Sequence, residues 1–319
     1  MKTRLFTLFL ILFAAPFLNA FPRQHVVVEL FTATSCTGCP GAAWAVDDLM
    51  ENGHPVAQVK LHVRDGFQSP TNNERYDYYE VSGTPTAFFD GLNPINISSS
   101  GISLYPEFLY NVNSRLLVPS HYSLAALGVV EDNICSFSVQ IVKEEPDVNS
   151  NVVLHLSLTE TAIPFYWGPD QTEVNFMSRM MVPGHQGTPV AVESLAVGES
   201  MQKHYSIELK EEWSQENMAV VVWLQNVDTK EILQGARFTL NELSQLKTPK
   251  PSASLQNGEL RLHWAPVPFA TSYAIWQSDN PEGPFTNSIW VTDPIYGERM
   301  GDFPRKFFRI QALRDEPNN

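Results

Sequence analysis

Hydrophobic and polar positions divide the chain into three textures. From Phe21 to about Val118, apolar runs alternate with helical spacings. His25-Val26-Val27-Val28-Glu29-Leu30-Phe31 is nearly all apolar, as expected of a strand buried on both faces. Ala42, Ala45, Val46, Leu49 and Met50 recur on one face of a helix. Pro40 suits its first turn and Gly53 its stop. Pro55 to Val63 predicts a second strand. Thr71-Asn72-Asn73-Glu74 fits a capping box and predicts a helix through Glu80. Val81 to Phe89 reads as a turn into a strand, and Asp90-Gly91 as a hairpin turn. Leu104, Phe108, Leu109, Val112 and Leu116 predict a closing helix.

From about Pro119 the period shortens to two. His121 to Val130, Ile134 to Val142, Val152 to Leu158, Met218 to Leu224 and Ile232 to Leu240 predict antiparallel strands of a β-sandwich. Lys247 to Ser254, with Pro249 and Pro251, reads as a linker. Alternation returns in Leu260 to Trp264, Ser272 to Trp276 and Lys306 to Ala312. The expected division is therefore a leader at 1–20, an α/β domain at 21–118 and a β-sandwich at 119–245. A linker at 246–254, a second all-β module at 255–314 and a polar tail at 315–319 complete it.

The leader rests on Lys2 and Arg4, an apolar run from Leu5 to Leu18, and Ala20 as a cleavage candidate, the pattern of a signal peptide. The run is short for a membrane helix, and no later stretch is expected to span a bilayer that way. Export would place the chain in the periplasm, at the outer membrane or outside the cell, where disulfides persist. The net charge of −14 over 319 residues argues against nucleic acid or an anionic membrane surface as a partner. The eight histidines are dispersed and no pair has the helical spacing of a zinc site, so no metal and no cofactor is expected. Met177, Met180, Met181 and Met201 read as packing residues rather than soft-metal ligands.

Chemistry concentrates in Cys36-Thr37-Gly38-Cys39, between the first strand and the first helix. A helix N-terminus favours a thiolate through its unpaired N–H groups and dipole. Two thiols at this spacing can capture a partner sulfur and then resolve the mixed disulfide. The third cysteine, Cys135, falls on a predicted strand and reads as a small buried hydrophobe.

With Gly83-Thr84-Pro85-Thr86 about forty-five residues after it, this stretch resembles the thioredoxin superfamily. The resemblance implies a cis Thr84–Pro85 bond beside the cysteines, and a Thr84 backbone that pairs with an extended protein substrate. It implies Cys36 as the attacking sulfur and Cys39 as the resolving one, with Thr37 and Gly38 facing the substrate. Glu29 lies near the place of the family's buried proton-relaying acid, one residue further from the cysteines than usual; strand parity decides whether it can serve. The tryptophan that often precedes the first cysteine is replaced by Thr34-Ser35. The Thr37-Gly38 pair leaves the redox direction open.

Arg179 to Gly184 with Gly187, and Val221 to Asn226 leading to Ile232 to Ala236, are similar to the 28-kDa outer-membrane-protein family. That resemblance implies a thioredoxin-like front joined to a β-sandwich, and a partner in the cell envelope. No barrel pattern accompanies it. Residues 255–314 look like a short fibronectin type III module, with Trp264 as the buried inter-sheet tryptophan and one edge strand missing. Two functions follow as expectations. One is an exported thiol–disulfide oxidoreductase acting on protein disulfides or dithiols. The other is a non-enzymatic surface interaction protein in which Cys36 and Cys39 form a static bond.

Overall fold

A computed structural model describes residues 21–168, 171–285, 287–299 and 305–314. The expected leader at 1–20 and tail at 315–319 lie outside them. In chain order the first part forms β1 (Val26–Thr32), α1 (Pro40–Glu51), β2 (Val56–His62), α2 (Pro70–Tyr78), β3 (Thr86–Phe89), β4 (Leu92–Ile95) and α3 (Tyr105–Leu116). Next come β5 (Tyr122–Glu131), β6 (Ile134–Lys143), β7 (Val152–Glu160), β8 (Ile163–Gly168), β9 (Gln171–Val174), β10 (Met177–Met181), β11 (Thr188–Val190) and β12 (Ser200–Glu208). After them stand β13 (Met218–Asn226), β14 (Ile232–Thr239) and α4 (Leu240–Leu243). Last are β15 (Ser252–Gln256), β16 (Glu259–His263), β17 (Ser272–Ser278), β18 (Asn287–Val291), β19 (Ile295–Arg299) and β20 (Phe307–Leu313). The protein is multi-domain and mostly β, with four α-helices among the described residues.

One sheet dominates, in the order β14-β13-β7-β10-β2-β1-β3-β4, with β11 beside β7. β1 and β2 run parallel, and β3 returns antiparallel to β1. The sheet continues past residue 118. β10 pairs with the outer edge of β2, so strands from the second texture cover an edge that would otherwise stay open. β14 curls back until Gly235 bridges His25. Neither long-range pairing is visible in a local pattern.

Two apolar clusters pack on the faces of β1. Val26, Val28 and Leu30 meet Ala42, Ala43, Val46 and Leu49 of α1 and Phe108 and Val112 of α3. Val27 and Phe31 meet Tyr76 and Tyr79 from α2 and its C-terminal end, and Val221 and Trp223 of β13. Behind β7, β13 and β14 lies a second sheet, β12-β6-β5. Tyr122, Leu156, Val220 and Phe238 fill the core between these layers. Cys135 is fully buried there, and burial pushes its thiol up to about 11. The last part forms two three-stranded antiparallel sheets, β15-β16-β19 and β18-β17-β20. Trp264 sits between them, edge-on to Tyr273 at 5.2 Å, in a core with Leu262, Ile275 and Ile310.

One boundary differs from the expected capping box at Thr71. The N-cap of α2 is Ser69, whose hydroxyl accepts from Asn72 N at 3.2 Å, with Pro70 in the first turn. Thr71 Oγ1 instead accepts from Met181 N at 3.2 Å and ties α2 to β10. A tertiary partner took the hydroxyl that a local reading assigned to the cap.

Candidate active site

The buried strand β1 ends at Thr32 and releases the chain into the loop that carries Cys36. Cys39 is the N-cap of α1, with Pro40 next. Cys36 and Cys39 are joined in a disulfide. Cys36 is half-buried and Cys39 fully buried. An incoming sulfur can therefore reach the first cysteine, while the second can act only on the first.

Sheet register brings the distant loop to this point. Phe31 of β1 pairs with Thr86 of β3, so the residues before Thr86 stand beside the end of β1. The Thr84–Pro85 peptide bond is cis. Pro85 is buried, and the Thr84 carbonyl oxygen lies 3.5 Å from Cys36 Sγ. Thr86 Oγ1 donates to Gly83 O at 2.7 Å and accepts from Asn96 Nδ2 at 2.8 Å, which holds the loop in shape.

The segment from Asn96 to Leu104 clamps the cysteine loop, and nothing in the sequence signalled it. Ser99 N donates to Gly38 O at 2.9 Å, and Gly41 N donates to Ser99 O at 2.8 Å. A Cβ on Gly38 would lie 2.6 Å from Ser98 Cβ, and one on Gly41 would lie 2.3 Å from Ile102 O. Gly38 is thus fixed by this close approach. Thr37, its neighbour between the cysteines, is exposed.

On the other side, Asp65 holds the start of the loop. Its carboxylate accepts from Thr34 N at 2.7 Å, Thr34 Oγ1 at 3.1 Å, Phe67 N at 2.9 Å and His62 Nδ1 at 2.8 Å. Burial alone would raise the Asp65 pKa. The imidazole and the backbone donors outweigh it and hold the carboxyl below its ordinary range. His62 shares the α1 face of the sheet with Lys60, which pairs with Asp47 of α1 at 2.6 Å. Its Nδ1 must donate to the carboxylate, and its Nε2 is buried without a partner among the described residues. The i,i+3 spacing of His62 and Asp65 was the one local trace of this pair.

Glu29 stands apart from the cysteines. By parity it lies with Val27 and Phe31, on the face that meets Tyr76 and Tyr79, whereas α1 covers the opposite face. Arg75 Nε donates to its Oε1 at 2.8 Å, Arg75 Nη2 to its Oε2 at 3.0 Å, and the Tyr79 hydroxyl to Oε2 at 2.7 Å. Arg75 also donates to Gln225 Oε1 of β13 at 2.7 Å. The structure thus brings Cys36, Thr37, Gly38, Cys39, Thr84 and Pro85 together, and puts Glu29 in a buried ion pair across the sheet.

No family model and no curated protein sequence matches the chain. Solved structures do match its fold. HBP35 of Porphyromonas gingivalis superposes with a TM-score of 0.57 at 13% identity, covering 92% of this chain and 99% of that one. A structural-genomics protein from Agrobacterium tumefaciens gives a TM-score of 0.50 at 16% identity, covering 70% of this chain and 96% of that one. A domain of the outer membrane lipoprotein Omp28 from Porphyromonas gingivalis matches 38% of this chain and 88% of its own at 17% identity, with a TM-score of 0.27. At these identities the first two likenesses concern fold alone. Among the described residues no helix is long and apolar enough to cross a membrane.

Proposed function

We propose that the chain is an exported thiol–disulfide oxidoreductase whose front part is thioredoxin-like and whose substrate is a protein disulfide or dithiol. The observation that carries this is the asymmetry of the cysteine pair: a half-buried Cys36 facing the Thr84 carbonyl at 3.5 Å, and a fully buried Cys39 at the start of α1. In the reducing direction, the Cys36 thiolate attacks one sulfur of a substrate disulfide and the other leaves as a thiolate. Cys39, deprotonated, then attacks Cys36, closes the internal disulfide and releases the second substrate sulfur. Two electrons pass to the substrate, and the reverse sequence oxidises a dithiol. Thr84 would pair with an extended substrate strand, with Thr37 and Gly38 beside it.

Export is read from the first twenty residues, and a home in the cell envelope from the family resemblance of the sequence. The sandwich and the fibronectin type III-like module would hold an envelope partner. The proposed division keeps residues 21–118, 119–245 and 255–314 as modules, the first two sharing the large sheet. Measured against a disulfide-bonded protein and a reduced one, Cys36→Ser should lose all turnover, and Cys39→Ala should accumulate mixed disulfides. Equal rates for wild type and Cys36→Ser would leave the interaction-protein reading. A potential below about −300 mV without turnover would favour that reading too.

A further inference from the structure

A second site lies away from the disulfide, where the sandwich meets the last module. A cleft of about 390 Å³ opens there between β5, β14, the end of α4 and the loop at Phe269. That size falls within the range of small-molecule sites. Three cationic or potentially cationic side chains converge on it, His25, Arg237 and Lys247, in a chain whose net charge is −14.

Two of them keep a buried nitrogen without a hydrogen-bond partner. The Arg237 side chain makes no hydrogen bond and no ion pair among the described residues; its guanidinium carbon lies 6.0 Å from the centre of the Phe176 ring, and its Nε is buried without an acceptor. His25 Nδ1 is likewise buried and unpartnered. The one carboxylate lining the cleft, Glu242, acts on His25 and Arg237 through space but bonds neither of them. Its Oε2 accepts from Thr239 N at 2.7 Å and from Thr239 Oγ1 at 2.9 Å, closing the capping box of α4. Burial first, then Arg237 and Lys247, push His25 below its ordinary pKa; burial lowers Arg237, with Glu242 alone opposing it. An anion in the cleft would offset the positive charge of Arg237 and Lys247.

The walls say what else the anion carries. Tyr122, Leu124 and Ala126 of β5 point into the sandwich core, so Ala125 and Leu127 face the other way and line the cleft. Phe269 closes the far side with φ of 65°, a left-handed backbone that a bulky residue seldom adopts and that clusters at ligand sites. A guanidinium takes a carboxylate through parallel N–H donors.

We propose that this cleft binds a small organic carboxylate with an apolar body, the carboxylate on Arg237 and the body against Ala125, Leu127 and Phe269. The site is independent of the disulfide chemistry. Titration calorimetry on the full chain tests it, with decanoate as the probe and decanol and inorganic phosphate as comparisons. Decanoate should bind saturably, and both comparisons at least ~10-fold more weakly, in line with a charge-assisted hydrogen bond. Arg237→Gln should weaken decanoate ~10-fold or more, and Ala125→Phe should abolish binding by filling the cleft. Cys36→Ser should bind as wild type does, which separates this site from the redox reading. Unfolding curves establish that each variant is folded; if Arg237→Gln is not, Ala125→Phe and Lys247→Gln decide. Absence of saturable binding at about 1 mM decanoate overturns the proposal. So does unchanged affinity in the folded Arg237→Gln, or in Ala125→Phe and Lys247→Gln when these decide, or phosphate binding as tightly as decanoate.

Discussion

Single residues at the cysteine loop carry roles that their types alone do not announce. Gly41 sits inside a helix, where glycine is ordinarily a cost, because a Cβ there would meet the Ile102 carbonyl at 2.3 Å. Backbone on one side and a helix on the other leave little room to yield. Gly41→Ala should lose ~1–3 kcal/mol of stability as an overpacked site. Gly83, in the loop that leads to Pro85, has nothing within 4 Å of its Cβ direction. Gly83→Ala should stay within about 0.5 kcal/mol of wild type. Urea midpoints of the two variants check the contrast, and equal losses would refute it. The cysteine spacing was legible as chemistry, and the Thr84-Pro85 pair through the family resemblance. Gly38 and Gly41 were not legible as packing residues, because the segment that presses on them comes from sixty residues further along the chain.

At the scale of elements, the loop between β1 and α1 is held by neighbours on both sides. Asp65, just after β2, binds its start, and Ser99, before α3, binds its end. The Asp65 anchor has a pH signature. Folding lowers this carboxyl below its ordinary value of 3.8. Its contribution is therefore complete above that value and is lost as pH falls through the lower, folded pKa. Protection of the Thr34 amide from hydrogen exchange should fall across that acid range in wild type. In Asp65→Asn it should be weaker at neutral pH and lack the acid step. Equal protection of the Thr34 amide in wild type and Asp65→Asn at neutral pH would count against the anchor. The strands and helices themselves were mostly legible: β1, β2, α1, α3, β5 to β7, β13 and β14 follow apolar spacing. The cap of α2 and the strands from β8 to β12 were not. Short, half-polar strands owe their state to partners rather than to pattern.

The whole molecule is tied together through a buried ion pair. Arg75 follows α2 into the interior, binds Glu29 of β1 with two donors, and reaches Gln225 of β13. One guanidinium thus joins the front of the chain to the layer that backs the sandwich. Removing it alone would leave Glu29 charged and buried. Arg75→Met should cost about 3–5 kcal/mol, and Arg75→Met with Glu29→Gln clearly less. Denaturant unfolding followed by tryptophan fluorescence measures both, and a double variant as damaged as the single would refute the account. By itself, the sequence determined the local elements and the cysteine pair, since each follows from short-range spacing and residue chemistry, while the proline loop was read only through a family resemblance. Tertiary structure alone decided that β10 joins β2, that Glu29 faces Arg75 rather than the cysteines, and that Arg237 Nε is left without an acceptor. Those outcomes depend on which segments meet across 46 residues, for Glu29 and Arg75, or more than a hundred, for β10 and β2, and no periodicity of 2 or 3.6 encodes such a meeting.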